Sequence, residues 1–482
     1  MFRARVAGAI IAATVLLGCR HGETTAAAPR PPSSPPDSEA PKAWGLIDGA
    51  VDTMRAASAV AAGGSFELVL NATDDRRIAW IGYYVTSVLG GEWTSGSDSI
   101  AVSDSMTAAS ATVRLSPPAQ SSGWIQIDAF AVDGAGNRTR MRFTRYPVSV
   151  YRVVAPPMPA VALGELEDWI YDVRRGRLYA TLTDTVPILV LSPATMALDT
   201  SLVPPGHARG LDLTVGGDSL LTTLDTTPAL AVTDLATPGA GWSTIALTAD
   251  TGAQTPLFLR VAASGRVLLT LATRDLQVRR MYSVDLASDS QTIRTDRNAY
   301  PGFLTVSDDR SLILVAGMGP TEVYDAATNT FGASTGPDFQ QFSTVAPDSL
   351  GRHVMLEVSN AWYPELYDRS FSGGVPYGTG GSTPFALAPG GDTAFFTSAG
   401  LIMVTRLSDG VTQQAVALPQ GRSVERMLYL PGPHRRLMMF GGERVFSFAL
   451  DSLPAPTSVT RTPLGRSALS LVGAPVAVPG PR

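Results

Sequence analysis

A turn motif recurs through residues 160–482 of this chain and limits what that region can fold into. Each copy lies between two short apolar segments, as in Asp172–Tyr179, Leu213–Leu220 and Val261–Leu268. The copies are centred on Gly176, Gly217, Gly265, Arg310, Gly351, Gly391 and His434. A period of about 40 to 50 residues with several strands in each unit is typical of β-propeller blades. The chain is therefore predicted to be all-β, with a seven-bladed β-propeller over residues 160–482.

A second signal marks the end of the third strand in several units, where apolar residues lead into Asp234, Asp285, Asp325 and Asp368. Because a single repeat cannot bury its own faces, the ring must close. We expect residues 467–478 to supply a strand that completes a blade with the N-terminal end of the ring. The region resembles seven-bladed bacterial propellers of the YVTN and lactonase-like group. It lacks a Tyr-Val-Thr-Asn tetrad, so the resemblance implies the fold and not an activity.

Residues 44–152 have a shorter pattern, in which apolar and polar residues alternate between turns. The clearest predicted strands are Phe66–Leu70, Ile78–Val85 and Trp124–Val132. About 100 residues with this spacing fit an immunoglobulin-like β-sandwich. The segments Asn71–Asp75 and Asp133–Asn137 resemble those of bacterial Ig-like modules. We place a domain boundary near residues 155–157, where cleavage would give two folded pieces.

Carboxylates of this segment could meet at one end of the sandwich and hold Ca²⁺ through oxygen ligands, and the candidates are Asp74, Asp75 and Asp133. The interpretation that we prefer is that Asp133 and Asn137 stabilise a hairpin turn. No metal and no other cofactor is therefore expected.

The N-terminus has the layout of a secretory signal, because two arginines precede an apolar run over residues 6–17. That run is shorter than the roughly 20 residues that a membrane-spanning helix requires. It ends in Leu16-Leu17-Gly18-Cys19, which resembles the bacterial lipobox. The resemblance implies a signal peptide over residues 1–18 and lipidation of Cys19. An Asp at the next position resembles a signal for retention in the inner membrane, so Arg20 favours the outer membrane.

Residues 19–43 are predicted to be the lipidated cysteine and a proline-rich spacer, because proline, serine and alanine dominate the segment. Such a composition cannot bury enough apolar surface to fold and favours an extended chain. The net charge of −5 and the scattered arginines argue against nucleic acid as a partner. The predicted location is therefore the bacterial cell envelope, with the membrane contacted through the lipid anchor.

Side chains for catalysis are sparse in this sequence. Of four histidines, only His207 is expected near the central channel of the propeller, without a carboxylate close to it in sequence. We therefore expect it to be a solvated loop residue. The linear motifs of serine hydrolases, zinc proteases and P-loops are absent. The favoured function is a binding or scaffold module for an envelope protein or glycan.

Loops between blades, and loops between second and third strands, should converge on one face of the ring. Trp362 and Tyr363 place two aromatic rings in one such loop, where they would either anchor a partner or cover the blade. The channel mouth would be lined by residues at equivalent starts of blades, namely Arg209, Gln254, Tyr300, Gln341, Thr383 and Glu425.

An enzymatic alternative remains open at this stage. A lactonase-like or other hydrolytic propeller would gather carboxylates such as Glu165, Asp168 and Glu425 around a divalent metal. It rests on the resemblance of the fold, and one fold supports many unrelated functions.

Overall fold

The computed structural model describes most of the chain between residues 37 and 473. The described ranges are 37–47, 59–89, 92–103, 105–119, 121–142, 148–247, 254–273, 279–295, 300–332, 338–339, 345–357, 364–371, 374–376, 384–398, 401–408, 410–418, 423–453 and 464–473. The described residues from Ala40 onwards belong to one compact unit, and residues 37–39 belong to a separate one. In the described ranges the helices are the 3₁₀ turns Pro238–Ala240 and Leu450–Ser452, and neither has the length or apolarity to cross a membrane.

The N-terminal part of the larger unit is a module of two sheets. Its strands are β1 (Lys42–Ile47), β2 (Ala59–Ala61), β3 (Phe66–Thr73), β4 (Ile78–Leu89), β5 (Glu92–Ala101), β6 (Ala108–Ser116), β7 (Gly123–Asp133), β8 (Arg138–Arg142) and β9 (Val148–Val154). The first sheet has the order β1-β3-β6, and the second has the order β9-β7-β4-β5. Strand β8 pairs with β7, and β2 runs parallel to β9.

One apolar core lies between these two sheets. Leu68 and Leu70 of β3 belong to the same buried cluster as Ile81 and Tyr83 of β4. Successive side chains of a strand point to opposite faces, so the alternating residues of the sequence fill this core.

The propeller strands form seven four-stranded blades among the described residues. Strand β10 (Ala160–Ala162) comes first and belongs to blade 7. Blade 1 contains β11 (Leu166–Asp172), β12 (Arg177–Leu182), β13 (Ile188–Leu191) and β14 (Leu198–Leu202). Blade 2 contains β15 (Ala208–Leu213), β16 (Ser219–Leu224), β17 (Ala229–Asp234) and β18 (Ser243–Ala246). Blade 3 contains β19 (Gln254–Val261), β20 (Arg266–Thr273), β21 (Arg279–Asp285) and β22 (Ser290–Ile293).

Blades 4 to 6 follow the same plan. Blade 4 contains β23 (Tyr300–Val306), β24 (Leu312–Pro320), β25 (Glu322–Asp325) and β26 (Thr330–Phe331), with β27 (Asp338–Phe339) beside β24. Blade 5 contains β28 (Val345–Pro347), β29 (His353–Glu357), β30 (Pro364–Asp368) and β31 (Val375–Pro376). Blade 6 contains β32 (Phe385–Leu387), β33 (Thr393–Ser398), β34 (Leu401–Arg406) and β35 (Val411–Ala417). Blade 7 contains β36 (Arg426–Leu430), β37 (Arg436–Gly441) and β38 (Arg444–Ala449).

The first strands of successive blades are neighbours from β11 to β36, which arranges the blades as a β-propeller. Leu430 and Met438 of blade 7 share a buried cluster with Leu166 and Trp169 of blade 1, so the ring is closed. The fourth strand of blade 7 is β10, whose Ala160 pairs with Phe446 of β38. Closure therefore uses a strand that precedes blade 1.

The C-terminal segment differs from our expectation that residues 467–478 would complete a blade. In the described part of that segment, β39 (Gly465–Arg466) and β40 (Ser470–Gly473) pair with β6 of the N-terminal module. Leu464 and Leu469 enter the core of that module. The available edge of β6 and two apolar side chains explain this placement, since the last blade already has β10 as its fourth strand.

The two parts of the chain are also joined through β9. Its first half pairs with β7, whereas Arg152–Val154 runs parallel to Gln414–Val416 of β35 in blade 6. The Ser149 hydroxyl accepts a hydrogen bond from Thr412 N at 3.2 Å. The N-terminal module and the propeller are therefore joined by strand pairing as well as by the connecting residues 155–157.

The backbone confirms the turn alignment made from the sequence. The aligned positions with positive φ are Gly176 (63°), Gly217 (69°), Gly265 (79°), Arg310 (58°), Gly351 (60°) and Gly391 (66°). In the seventh turn the positive φ belongs to Gly432 (119°) instead of His434. Glycine adopts this region without the steric cost of a Cβ atom.

The predicted ends of the third strands are also correct, because β17, β21, β25 and β30 end at Asp234, Asp285, Asp325 and Asp368. Each aspartate uses Oδ1 to accept the N–H two residues later, as Asp325 does from Ala327 at 2.8 Å. This bond turns the chain towards the fourth strand.

Candidate functional site at the propeller channel

The first strands of blades 1 to 4 are irregular where the chain enters each blade, and we call this side of the ring the upper face. Register shifts occur in β11, β15, β19 and β23. Such bulges change the direction in which side chains point. Glu167 and Arg209 lie inside two of them.

A threonine of the second strand holds the bulge in three of these blades. The bonds are Asp168 N to Thr181 Oγ1 (3.1 Å), Gly210 N to Thr223 Oγ1 (2.9 Å) and Phe258 N to Thr270 Oγ1 (3.2 Å). Thr223 then donates to the carbonyl oxygen of Leu257 in blade 3 at 2.9 Å. A Cβ atom on Gly210 would lie 2.4 Å from that oxygen, so only glycine allows the blades to approach this closely.

Four charged or titratable side chains meet on the upper face between blades 1 and 2. Arg209 donates from Nη1 to Glu167 Oε1 at 3.1 Å and from Nε to Asp225 Oδ2 at 3.0 Å. His207 Nδ1 lies 2.8 Å from the same Asp225 oxygen, and its Nε2 lies 3.2 Å from Leu182 O. This group, the upper cluster, consists of Glu167, His207, Arg209 and Asp225.

The structure corrects the interpretation of His207 as a solvated loop residue, because its side chain is only 13% exposed. Asp225 follows β16, and it lies beside His207 only because β16 folds back to pair with β15. Burial lowers the pKa of Arg209, but the carboxylates of Glu167 and Asp225 raise it by more. The net shift of the pKa is upward, so the guanidinium stays charged. The upper cluster therefore joins blades by charge-assisted hydrogen bonds.

A second ion pair lies deeper and connects blades that are not neighbours. Asp168 of blade 1 receives Arg260 Nη1 of blade 3 on Oδ2 at 2.9 Å and Nη2 on Oδ1 at 3.2 Å. The same carboxylate accepts Leu211 N of blade 2 at 2.9 Å. One carboxylate thus binds three successive blades together.

The same arrangement is repeated one blade further along the ring. Asp212 of blade 2 accepts Val261 N of blade 3 at 2.7 Å, and it receives Arg310 Nη1 and Nη2 of blade 4 at 2.9 and 2.8 Å. The Asp212 side chain is fully buried. Arg310 has a positive φ of 58° at a turn position where five of the aligned residues are glycine, and its side chain makes this pair.

The carboxylates suggested for a hydrolytic metal centre are not brought together. Asp168 is occupied by Arg260, Trp169 N and Leu211 N, while Glu165 and Glu425 are exposed. In the described ranges, these three carboxylates do not form a group with all oxygens within 4.8 Å of one another. The arrangement is suited to holding blades in place.

Some of the proposed ligand-binding residues can be located. Arg209 belongs to the upper cluster, and Glu425 is exposed and accepts Gly442 N on Oε1 at 3.2 Å. Tyr300 and Gln254 begin β23 and β19, but their side chains are outside the described parts. The residues that lie wholly outside the described ranges are Cys19, Gln341, Trp362, Tyr363 and Thr383.

Asp133 has the turn-stabilising contacts that we preferred over a calcium site. Its Oδ1 accepts Ala135 N and Asn137 N, each at 2.8 Å, and its Oδ2 accepts Asn137 Nδ2 at 2.7 Å. Asp74 Oδ2 accepts Arg76 N and Arg77 N. Gly136 has a φ of 94°, as a tight turn requires.

Acid should weaken the turns that end the third strands. Burial raises the pKa of Asp325, but the N–H groups of Thr328 and Ala327 lower it more, and the net shift is downward. A depressed pKa adds stability above the unfolded value of about 4, and this stability is lost as the pH falls through the folded pKa. We expect the urea midpoint to drop between pH 5 and pH 3, and to drop less in Asp325→Asn; an equal drop in both would contradict this role.

Comparison with known proteins identifies no family for this chain. No family model matches the chain, and no curated protein matches it. Solved structures that resemble it include hydrazine synthase of Kuenenia stuttgartiensis, with 12% identity, a TM-score of 0.40 and coverage of 59% of this chain and 93% of that one. The Pan2 WD40 domain of Neurospora crassa has 13% identity, a TM-score of 0.48 and coverage of 62% and 96%. The Cps50 (Swd1) β-propeller domain of Myceliophteria thermophila has 11% identity, a TM-score of 0.45 and coverage of 60% of this chain and 99% of that one.

Proposed function

We propose that this chain is a lipid-anchored protein of the bacterial cell envelope and that its all-β body binds a partner protein. The observation that carries the binding role is that the largely buried carboxylates of the propeller are paired with arginines. Asp168, Asp212 and Asp225 each receive a guanidinium from another strand or blade. These pairs make a rigid scaffold, and loops on a rigid scaffold are well suited to recognition.

The N-terminal module is, in our proposal, Ig-like. Support comes from the division of its strands into β1-β3-β6 and β9-β7-β4-β5, with β2 parallel to β9. A common core of residues from both sheets agrees with a sandwich of this type. It adds a second surface to the one offered by the propeller.

Cys19 is proposed to carry the lipid, and the following spacer to give the folded part reach from the membrane. Each buried CH₂ of an acyl chain contributes about 0.8 kcal/mol, so several chains anchor a protein almost permanently. Cys19→Ser should therefore move the exported protein from the membrane pellet to the soluble fraction. Equal solubility of the two forms in cell fractionation would refute the anchor.

The binding role is tested by affinity capture from envelope extracts with wild type and Trp362→Ala. We expect a partner in a stable ratio to wild type, and retention reduced at least several-fold in Trp362→Ala if that ring anchors the partner. Phe371→Ala is not a suitable control because it would open the core, whereas Leu198→Ala changes an exposed side chain on blade 1. Bound metal in a 1:1 ratio with no retained partner would favour the hydrolytic alternative.

A further inference from the structure

The outward face of the second N-terminal sheet gathers aromatic and arginine side chains. Residues directly opposite in paired strands share a face. Register places Trp80 opposite Val132, and Gly82 opposite Phe130. It also places Val132 and Phe130 opposite Arg138 and Arg140 of β8. We call Trp80, Tyr84, Phe130, Arg138 and Arg140 the arginine–aromatic face.

The two guanidinium groups of this face are stacked on rings. Arg138 Cζ lies 4.4 Å from the centroid of Phe130 and 5.2 Å from that of Tyr84. Arg140 Cζ lies 4.8 Å from the Tyr84 centroid, and the two rings are 5.0 Å apart. A cation over an aromatic face is attracted by the ring quadrupole. The stack therefore fixes both arginines before any partner arrives.

Additional contacts hold the stack in one geometry. Arg138 donates from Nη2 to the Tyr84 hydroxyl, and Arg140 donates from Nε to Asp128 Oδ2 at 2.9 Å. A Cβ atom on Gly82 would lie 2.6 Å from Cζ of Phe130, so the ring occupies the space above this glycine. Side chains that are already ordered lose little entropy on binding.

The solvent side of this stack of arginines and rings remains open. Trp80 is 46% exposed, and the Arg140 side chain is 59% exposed, while Phe130, under the Arg138 guanidinium, is only 7% exposed. Trp, Tyr and Arg are the residue types that most often carry the binding energy of protein interfaces. An open sheet face with these residues suits a protein partner better than a small ligand, which requires a concave site.

We propose that the arginine–aromatic face binds an acidic segment of a partner protein. The proposal rests on the binding function given above and names the charge of the partner. A guanidinium has five N–H donors in a planar fork that matches a carboxylate. Arg138 uses one of them on Tyr84, and Arg140 uses Nε and Nη2 on Asp128, so both keep donors for a partner. In a chain of net charge −5, two exposed arginines beside one largely buried aspartate make this face locally positive. Glutamate or aspartate side chains of the partner bind the arginines, and an apolar side chain covers Trp80.

The test uses the full chain and dye-labelled peptides of 12 residues in which Glu alternates with Leu or Tyr, with a matched peptide that has Gln for Glu. We expect fluorescence anisotropy to show binding of the Glu peptide only, with affinity that falls as salt is added. Arg138→Gln and Arg140→Gln should each weaken binding about tenfold or more, since hydrogen bonds to charged groups are strong. Arg444→Gln changes an exposed arginine of blade 7 and should leave the affinity unchanged.

Several results would overturn the proposal. They are equal binding of the Gln peptide, unchanged affinity in Arg138→Gln, and loss of affinity in Arg444→Gln. Preferential binding of heparin, or of vesicles with anionic phospholipid, over the Glu peptide would assign the face to a glycan or a membrane instead. If envelope capture of a partner succeeds with the double variant of Arg138 and Arg140, the proposed function stands and this face is not its site.

Discussion

Asp212→Ala should cost the protein about 3–5 kcal/mol of unfolding free energy, because it leaves Arg310 without its buried partner. The carboxylate also accepts Val261 N at 2.7 Å, so a backbone N–H of blade 3 loses its acceptor. Urea denaturation followed by tryptophan fluorescence measures the loss. Blades 2, 3 and 4 meet at this carboxylate, so the effect should be spread over that half of the ring.

Asp218→Ala is the matched control for this experiment. Asp218 also pairs with an arginine of another blade, Arg174, but its side chain is 71% exposed. Exposed ion pairs contribute about 0–1 kcal/mol, so this variant should remain close to wild type. A loss in Asp212→Ala no larger than that in Asp218→Ala would contradict the structural role of the buried pair.

Arg310→Gly separates the ion pair from the backbone conformation. Glycine should relieve the steric strain of a side chain at a φ of 58°, but it leaves the Asp212 carboxylate buried without a positive partner. We expect the second effect to exceed the first. In a double-mutant cycle, the combined variant Asp212→Ala with Arg310→Gly should lose less than the sum of the single losses.

Deletion of residues 464–482 should destabilise the N-terminal module, although these residues follow the last blade. Leu464 and Leu469 are 7% and 9% exposed within the core of that module. Each buried leucine contributes about 1.5–3 kcal/mol, so the loss should be on the order of 3–6 kcal/mol. The edge of β6 would also lose its pairing with β39 and β40.

Hydrogen exchange can localise this effect. Amides of β3 and β6 should lose protection in the truncated chain, while those of β15 and β16 in blade 2 keep theirs. Leu464→Ala with Leu469→Ala is a milder variant that retains the strands and should show the same pattern with a smaller loss. Equal loss of protection in blade 2 would contradict a local role for the C-terminal segment.

The interlocked ends also change the expected result of cleavage near residues 155–157. A break there leaves β9 paired with β35 and the C-terminal strands paired with β6. We therefore expect the two pieces to stay associated in gel filtration under native conditions.

The sequence was sufficient for the blades because their turns depend on local chemistry. Glycine at positive φ and aspartate after a third strand act on their own neighbours, so their spacing along the chain is visible without a structure. Arg310 stands with a positive φ where five of the seven aligned turns have glycine, which is a local indication that its side chain has a role.

The site and the chain ends depended on contacts between distant residues. His207 and Asp225 become neighbours only through pairing of β15 with β16, and Arg260 reaches Asp168 across an intervening blade. Both β10 and the C-terminal segment have the short apolar pattern of a strand, so either could have paired with the free edge of β38 in blade 7. In the structure β10 pairs with β38, and the C-terminal strands pair with β6. No spacing rule along the sequence distinguishes these outcomes.

Site-specific photo-crosslinking in living cells is the most direct test of the proposed binding function. A photo-reactive phenylalanine derivative replaces Trp362, Trp80 or, as a control on the side of blade 1, Leu198. We expect a discrete protein adduct from Trp362 or Trp80 and none from Leu198, whose exposure of 55% is no lower than the 46% of Trp80. Absence of an adduct from both tryptophan positions, in a protein that is correctly exported and folded, would contradict a role as a protein-binding module.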